Sequence, residues 1–105
     1  MKTKEEQLRA LVKEYDKTPS EDTKKQIENF DTSGITDMTG MFFRSQFNWD
    51  ISKRDVSSVI EMWGMFSDSQ FNWDISNWDV SSVADMRWMF DNCPILQEHK
   101  PKFNI

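Results

Sequence analysis

Apolar residues near the start of the chain recur with the spacing of one helical face. Four of them stand at i, i+3, i+4 and i+7: Leu8, Leu11, Val12 and Tyr15. Such a stripe is typical of an amphipathic helix. Thr3 and Glu6 have the spacing of a capping box, so the helix is predicted to begin just after Thr3.

A second helix is predicted a few residues further on. The letters "TPSE" place Thr18 as N-cap, Pro19 at the first helical position and Glu21 at the third. Neither segment has a counterpart elsewhere in the chain. We therefore expect residues 1–29 to form a helical cap on the rest of the molecule.

Beyond residue 29 the pattern of apolar and polar positions repeats along the chain. The octapeptide "SQFNWDIS" occurs at 45–52 and again at 69–76. Aligning the copies gives units at 30–53, 54–77 and, incompletely, 78–96, followed by a tail at 97–105 without the repeat. A period of this length is typical of a solenoid, in which each unit buries its apolar face against the next.

Each unit is predicted to contain one short helix and one short strand. In "SSVIEMWGMF", Ser58 and Glu61 form a capping-box pattern ahead of an apolar stripe with helical spacing. In "FNWDIS", Phe71, Trp73 and Ile75 alternate with polar residues, which indicates a strand with one buried face. The expected fold class is an α/β repeat, a short solenoid with an N-terminal helical cap.

The string "FNWDISNWDVSSVADMRWMF" at 71–90 resembles the bacterial surface protein repeat of the BspA-like type, and the likeness covers residues 30–96. The resemblance implies a leucine-rich-repeat-like solenoid and a non-enzymatic role in adhesion or partner binding, often on bacterial surfaces. It also implies that Trp78 belongs to the core. The chain departs from the family pattern at Arg54, where tryptophan is usual, and at Trp49 and Trp73, where a polar residue is usual.

Those two tryptophans are candidate contact residues. If they face solvent, they form an aromatic ladder beside Asp50 and Asp74, which suits a protein-interaction hot spot. If they follow the strand alternation, they are buried and widen the core, and the alternation favours this interpretation. Two further tryptophans occur singly in the units. The full candidate set for partner binding is Trp49, Asp50, Trp73, Asp74, Trp63 and Trp88.

Residues for catalysis or metal binding are sparse. One histidine, His99, and one cysteine, Cys93, leave no Cys/His or Ser/His/Asp arrangement and no zinc set. The repeated acidic positions are interpreted as caps of turns and helices rather than as catalytic or calcium-binding groups: Asp31, Asp55, Asp79, Asp37, Glu61 and Asp85. The sequence predicts no enzyme, no metal site and no cofactor.

Charge narrows the class of partner. The net charge is −5, and residues 31–96 hold ten acidic and four basic side chains, a difference of −6. This balance disfavours direct binding of nucleic acid or of an acidic membrane surface and favours a basic protein surface. The first residues lack the apolar run of a secretion signal, which predicts a cytoplasmic protein, or an extracellular one if the chain is a fragment.

Together these features predict a non-catalytic protein-binding module. Its most concrete form is a small acidic intracellular inhibitor that occupies a basic surface of a bacterial nucleic-acid-handling or phage-defence protein. The alternative, which rests on the resemblance, is a surface-adhesion repeat module or a fragment of a secreted bacterial surface protein. The open end of a solenoid would also permit a homodimer.

Overall fold

The first predicted helix is present in the computed structural model of the chain, which describes residues 1–104. Helix α1 runs over Lys4–Lys17. The Thr3 hydroxyl accepts a hydrogen bond from the Glu6 backbone N–H at 3.1 Å, and the Glu6 carboxylate accepts one from the Thr3 N–H at 3.1 Å. The predicted capping box is therefore confirmed, and α1 buries Leu8, Val12 and Tyr15.

The second predicted helix is also present, but its N-cap is not Thr18. Helix α2 runs over Glu21–Glu28, and the side chain of Ser20 accepts the capping hydrogen bond from the Thr23 N–H. The predicted start of α2 at Thr18 is wrong because α1 extends to Lys17 and uses Thr18 as its C-cap. The Thr18 N–H donates to the Glu14 carbonyl at 2.9 Å.

The predicted α/β repeat solenoid is wrong. Residues 1–104 contain two α-helices, a short 3-10 helix at Gln97–His99 and no β-sheet. Pairing of β type is limited to isolated parallel bridges between Asp37 and Glu61 and between Glu61 and Asp85. The molecule is compact, with a radius of gyration of 12.6 Å, close to the value of about 13 Å expected for a globular domain of 100 residues.

The segments predicted as helices consist of successive turns. In the second unit the Met65 N–H donates to the Met62 carbonyl, and the Ser67 N–H donates to the Gly64 carbonyl. These bonds join residues three apart, as in β-turns, and Gly64 has a φ of +60°. A chain of such turns brings apolar residues to one side at nearly the spacing of a helix. The same apolar spacing therefore fits both a helix and a series of turns.

The segments predicted as strands are irregular. Phe71 and Ile75 are buried as the alternation requires, but Trp73 between them is exposed. The chain bends just afterwards, because the Asp74 carboxylate accepts a hydrogen bond from the Ser76 N–H at 2.9 Å. Such an Asx-turn takes up backbone groups that a strand ladder would need.

Hydrogen bonds nevertheless join equivalent turns of neighbouring units. Alternate N–H groups of the first unit donate to carbonyls of the second: Met38 to Glu61, Gly40 to Trp63, Phe42 to Met65 and Arg44 to Ser67. The second unit donates to the third in the same register: Met62 to Asp85, Gly64 to Arg87, Phe66 to Met89 and Asp68 to Asp91. These eight bonds run from each unit to the next, and two others run back, from the Ile60 N–H to the Thr36 carbonyl and from the Ala84 N–H to the Ile60 carbonyl.

The core is continuous through the three units and the two helices. Phe66 is fully buried and stacks between Phe42 and Phe90, with ring centroids 5.4 and 5.8 Å away. Leu8 of α1 and Ile27 of α2 are buried over the first unit, where they line one small internal space with Phe42. The helices thus cover the first unit's end of the stack.

The chain after residue 96 packs against the second and third units, and Lys100 Nζ lies 5.2 Å from the centre of the Phe90 ring. The Ile75 N–H donates to the His99 carbonyl at 3.0 Å. Pro101 is buried and Phe103 packs against the core. Ile105, the last residue of the predicted tail, lies outside the described residues. Among residues 1–104 there is no helix with the length and apolar character needed to span a membrane.

Candidate partner-binding surface

Trp63 and Trp88, on neighbouring units, form an exposed aromatic pair. Their ring centroids lie 5.5 Å apart at 82°, an edge-to-face arrangement. Trp63 is 40% exposed and Trp88 is 59% exposed. The Arg87 guanidinium lies 5.9 Å from the centre of the Trp88 ring. We call these two tryptophans the tryptophan pair.

The backbone of Trp88 has an unusual conformation. Its φ is +56°, in the left-handed region that favours glycine. At the equivalent positions of the first two units stand Gly40 and Gly64, each with a φ of +60°. The third unit therefore keeps the same turn with a bulky aromatic residue, at a conformational cost of about 1–2 kcal/mol.

Trp49 and Trp73 form neither the solvent-facing ladder nor the shared part of the core that the strand alternation favoured. Trp49 is half-buried beneath the helices, where its Nε1 donates to the Tyr15 hydroxyl at 2.8 Å and Lys24 Nζ lies 3.8 Å from its ring centre. Trp73 is 39% exposed, and its Nε1 donates to the Asn48 carbonyl at 2.9 Å. The two residues share a repeat position but not an environment, because Tyr15 of α1 and Lys24 of α2 contact Trp49 and not Trp73.

Asp50 and Asp74 flank a shallow surface groove that contains Trp73. The groove is lined by Asp50, Ser52, Trp73, Asp74, Ser76 and Asn77. Hydrogen bonding from Ser52 lowers the pKa of Asp50, and hydrogen bonding from Ser76 lowers the pKa of Asp74. Both carboxylates are therefore ionised at neutral pH while they hold their turns.

A row of exposed aspartates follows the repeat on another part of the surface. Asp31, Asp55 and Asp79 each accept hydrogen bonds from the backbone N–H and the hydroxyl of the serine two residues later. The hydroxyl of Ser33, with help from Lys4, lowers the pKa of Asp31 to about 2. These groups act as turn caps that carry permanent negative charge. No His, Cys, Asp and Glu cluster within residues 1–104 is suited to hold a metal ion.

The sequence predicted an open end of the repeat array and placed Trp88 in the candidate set, but it did not predict the row of exposed residues on the outer face of the third unit. Met86 and Phe90 are only partly buried there, whereas the equivalent Met62 and Phe66 are fully buried in the second unit. The available signal was position, because the last matched unit of a stack has one neighbour fewer. We call Met86, Trp88, Phe90 and Asn92 the end row.

Stacked turns under a helical cap, with acidic turn residues and exposed tryptophans, define a class of repeat protein. The family model described as Mycoplasma protein of unknown function, DUF285, matches residues 7–105. The chain therefore belongs to this family. Searches of curated proteins and of solved structures found no match.

Proposed function

We propose that the chain is a non-catalytic protein-binding module whose contact surface centres on the tryptophan pair. The observation that carries this proposal is the conformation of Trp88. A glycine would satisfy its turn at lower cost, as Gly64 does in the preceding unit. Strain in an exposed residue that contributes little to the core favours a role at the surface.

The chemistry around the pair supports a protein partner. Tryptophan and arginine are the residues most often found at the energetic centre of protein interfaces, and Arg87 lies beside Trp88. An edge-to-face pair already fixes both rings, so little side-chain entropy is lost on binding. Trp73, with Asp50 and Asp74, forms a second and smaller candidate patch.

A narrower form of the proposal is an acidic intracellular inhibitor that occupies a basic surface of a nucleic-acid-handling or phage-defence protein. Its support is the net charge of −5 together with rows of exposed, ionised aspartates. Such a field accelerates association with a basic partner and weakens as salt is added.

The alternative is a surface-adhesion repeat module with an extracellular partner. Its support is membership of the mycoplasma family together with the resemblance to BspA-like surface repeats. The two forms differ in the partner and in the salt dependence of binding, and both use the chain as a binding module without catalysis.

The test is affinity capture with the full chain from a mycoplasma lysate and, separately, from a host cell-surface extract, each at low and high salt. Trp88→Gly removes the exposed indole while leaving an allowed backbone, and Trp73→Gln is the matched control at a distant exposed tryptophan. We expect a discrete partner that Trp88→Gly loses and Trp73→Gln retains. A salt-sensitive basic partner from the lysate would favour the inhibitor, and a salt-tolerant partner from the surface extract would favour adhesion.

Other outcomes would count against the proposal. If only Trp73→Gln loses the partner, the binding site is the groove beside Asp50 and Asp74 and not the tryptophan pair. If both folded variants capture the same proteins as the wild type, neither tryptophan surface is the binding site. If the wild type captures nothing specific from either source, the protein-binding proposal fails.

A further inference from the structure

The third unit ends in an apolar face that no described residue fully covers. Trp88 is 59% exposed and Leu96 is 51% exposed. Met86 and Phe90 are partly buried, although the same residue types at the same repeat positions are fully buried one unit earlier. The difference follows from position, because units cover the second unit on both sides, whereas the outer side of the third has no further unit and is covered only in part by the tail, with Lys100 Nζ 5.2 Å from the centre of the Phe90 ring.

The same face presents a row of backbone donors. The N–H groups of the end row, Met86, Trp88, Phe90 and Asn92, have no acceptor within residues 1–104. Their counterparts in the first two units all donate to the next unit, at distances of 2.8 to 3.0 Å. The N–H groups of the intervening Met89 and Asp91 are already bonded within their own turns. Alternate donors thus point outward in the register of the stack.

The occupant of this face must supply acceptors for the end row, and it can donate to the Ala84 carbonyl, which corresponds to the Thr36 and Ile60 carbonyls that accept from the next unit. A second copy related by a two-fold axis would place the end row against its own copy, donor against donor, so those four N–H groups would not bond to one another. A second copy stacked head to tail would have to supply the carbonyls of its first unit. There α1 and α2 intervene, because Leu8 and Ile27 pack over that unit.

We propose that the outer face of the third unit docks a turn unit of the same repeat type, carried by a different chain whose carbonyl row is not covered by helices. The argument is continuity, since the two interfaces between units inside the chain already use this register. The docked unit would accept four hydrogen bonds from the end row and cover Met86, Trp88 and Phe90. This inference rests on the proposed protein-binding function and names its class of partner.

The test uses the full chain labelled with nitrogen-15 and a synthetic peptide of residues 54–77 as the probe. In the register of the stack, the peptide carbonyls of Glu61, Trp63, Met65 and Ser67 would accept from the end row. We expect amide hydrogen exchange to slow by about tenfold or more at the four end-row positions. Exchange at Met89 and Asp91 should not change, and a peptide of the same composition in scrambled order should have no effect.

A second arm guards against a peptide that is too unstructured to bind from solution. The same peptide sequence is fused after the chain through a flexible Gly/Ser linker of about 20 residues, which raises the effective concentration to about the millimolar range. The scrambled sequence is fused in the same way as the control.

The three outcomes are decisive. Protection by the separate peptide supports docking of a unit from another chain. Protection only in the fusion, and not with the fused scrambled sequence, also supports docking of a turn unit, with an affinity too low for the free peptide. If neither arm protects the end row, the face is not a docking site for a turn unit. In that case, capture of a partner that depends on Trp88 would leave the protein-binding function standing.

Discussion

At the scale of single residues, Trp88 combines a strained backbone with a side chain that lies largely at the surface. Its turn is the turn of Gly40 and Gly64, and its side chain contacts Trp63 at the surface. The fold gains little from this indole and incurs a conformational cost to keep it. Stability measurements can therefore isolate the backbone cost from the loss of the ring.

Trp88→Gly and Trp88→Ala remove the same ring, and they differ in whether the new residue adopts a positive φ easily. We expect Trp88→Gly to be the more stable of the two by about 1–2 kcal/mol. Urea unfolding of both variants measures the difference. Equal stability would mean that the turn at residue 88 relaxes and is not strained.

Asp31 offers a pH-dependent test of a turn cap. Its pKa of about 2 lies below the usual 3.8, chiefly because of Ser33 and then Lys4. A lowered pKa stabilises the folded state above the unfolded value, and this contribution is lost as the pH falls from about 4 towards 2. We expect Ser33→Ala and Lys4→Ala each to raise the pKa of Asp31, as measured by carbon-13 NMR of the carboxyl group, because each variant removes a hydrogen bond to the carboxylate. An unchanged pKa in Ser33→Ala would assign the shift to the ion pair with Lys4 instead.

At the scale of elements, the sequence predicted helix α1 because the contacts that form this helix lie between residues close together in the chain. The capping box and apolar stripe of α1 lie within the helix itself, so the sequence was enough to predict it. The units could not be predicted in the same way. Their alternate N–H groups, such as those of Met62 and Gly64, are satisfied by carbonyls of the next unit, at Asp85 and Arg87, rather than within the element. Apolar spacing alone does not distinguish such turns from a helix.

The start of α2 is a case in which a local signal was misread, and it can be tested directly. Ser20→Ala removes the hydroxyl that caps the helix, and we expect it to cost about 1 kcal/mol. Thr18→Ala keeps the backbone bond to Glu14 and should change stability by less than about 0.5 kcal/mol. Chemical unfolding of both variants compares them, and the reverse order would restore Thr18 as the N-cap.

The phenylalanine column tests the stacking of units. Phe66 is fully buried between two rings, whereas Phe90 has a ring on one side and is partly buried. We expect Phe66→Ala to lower the free energy of unfolding by about 3–5 kcal/mol and Phe90→Ala to lower it by clearly less. Thermal or urea unfolding measures both, and equal losses would show that the third unit is covered in solution.

At the scale of the whole molecule, helices and turn units share one core, so they are expected to unfold together. Leu8 is 3% exposed on α1 and packs over the first unit. Leu8→Ala should cost about 2–5 kcal/mol. It should shift the helical circular dichroism signal and the tryptophan fluorescence in a single transition. Two separated transitions would mean that the helices are an independent unit.

The candidate surface was predicted in composition but not in arrangement. Trp63 and Trp88 belonged to the candidate set, yet their pairing depends on the step between two units and on the positive φ of Trp88. Trp49 and Trp73 were expected to be equivalent because the sequence around them is identical. They differ because Tyr15 and Lys24 contact only Trp49. Contacts made by residues outside the repeat cannot be predicted from the sequence of the repeat itself.

The bonds from each unit to the next also bear on how such a chain changes length over evolution. Every N–H of this ladder reaches a carbonyl at the same sequence offset, as Met38 does at Glu61 and Met62 does at Asp85. A duplication or deletion of one whole unit within the stack would therefore leave the remaining units and the helices in register. An insertion of any other length would shift the following side chains away from the equivalent positions of the neighbouring units. The architecture would therefore accommodate the gain or loss of whole units, and the octapeptide at 45–52 and 69–76 recurs at the spacing that a duplication of one unit would give.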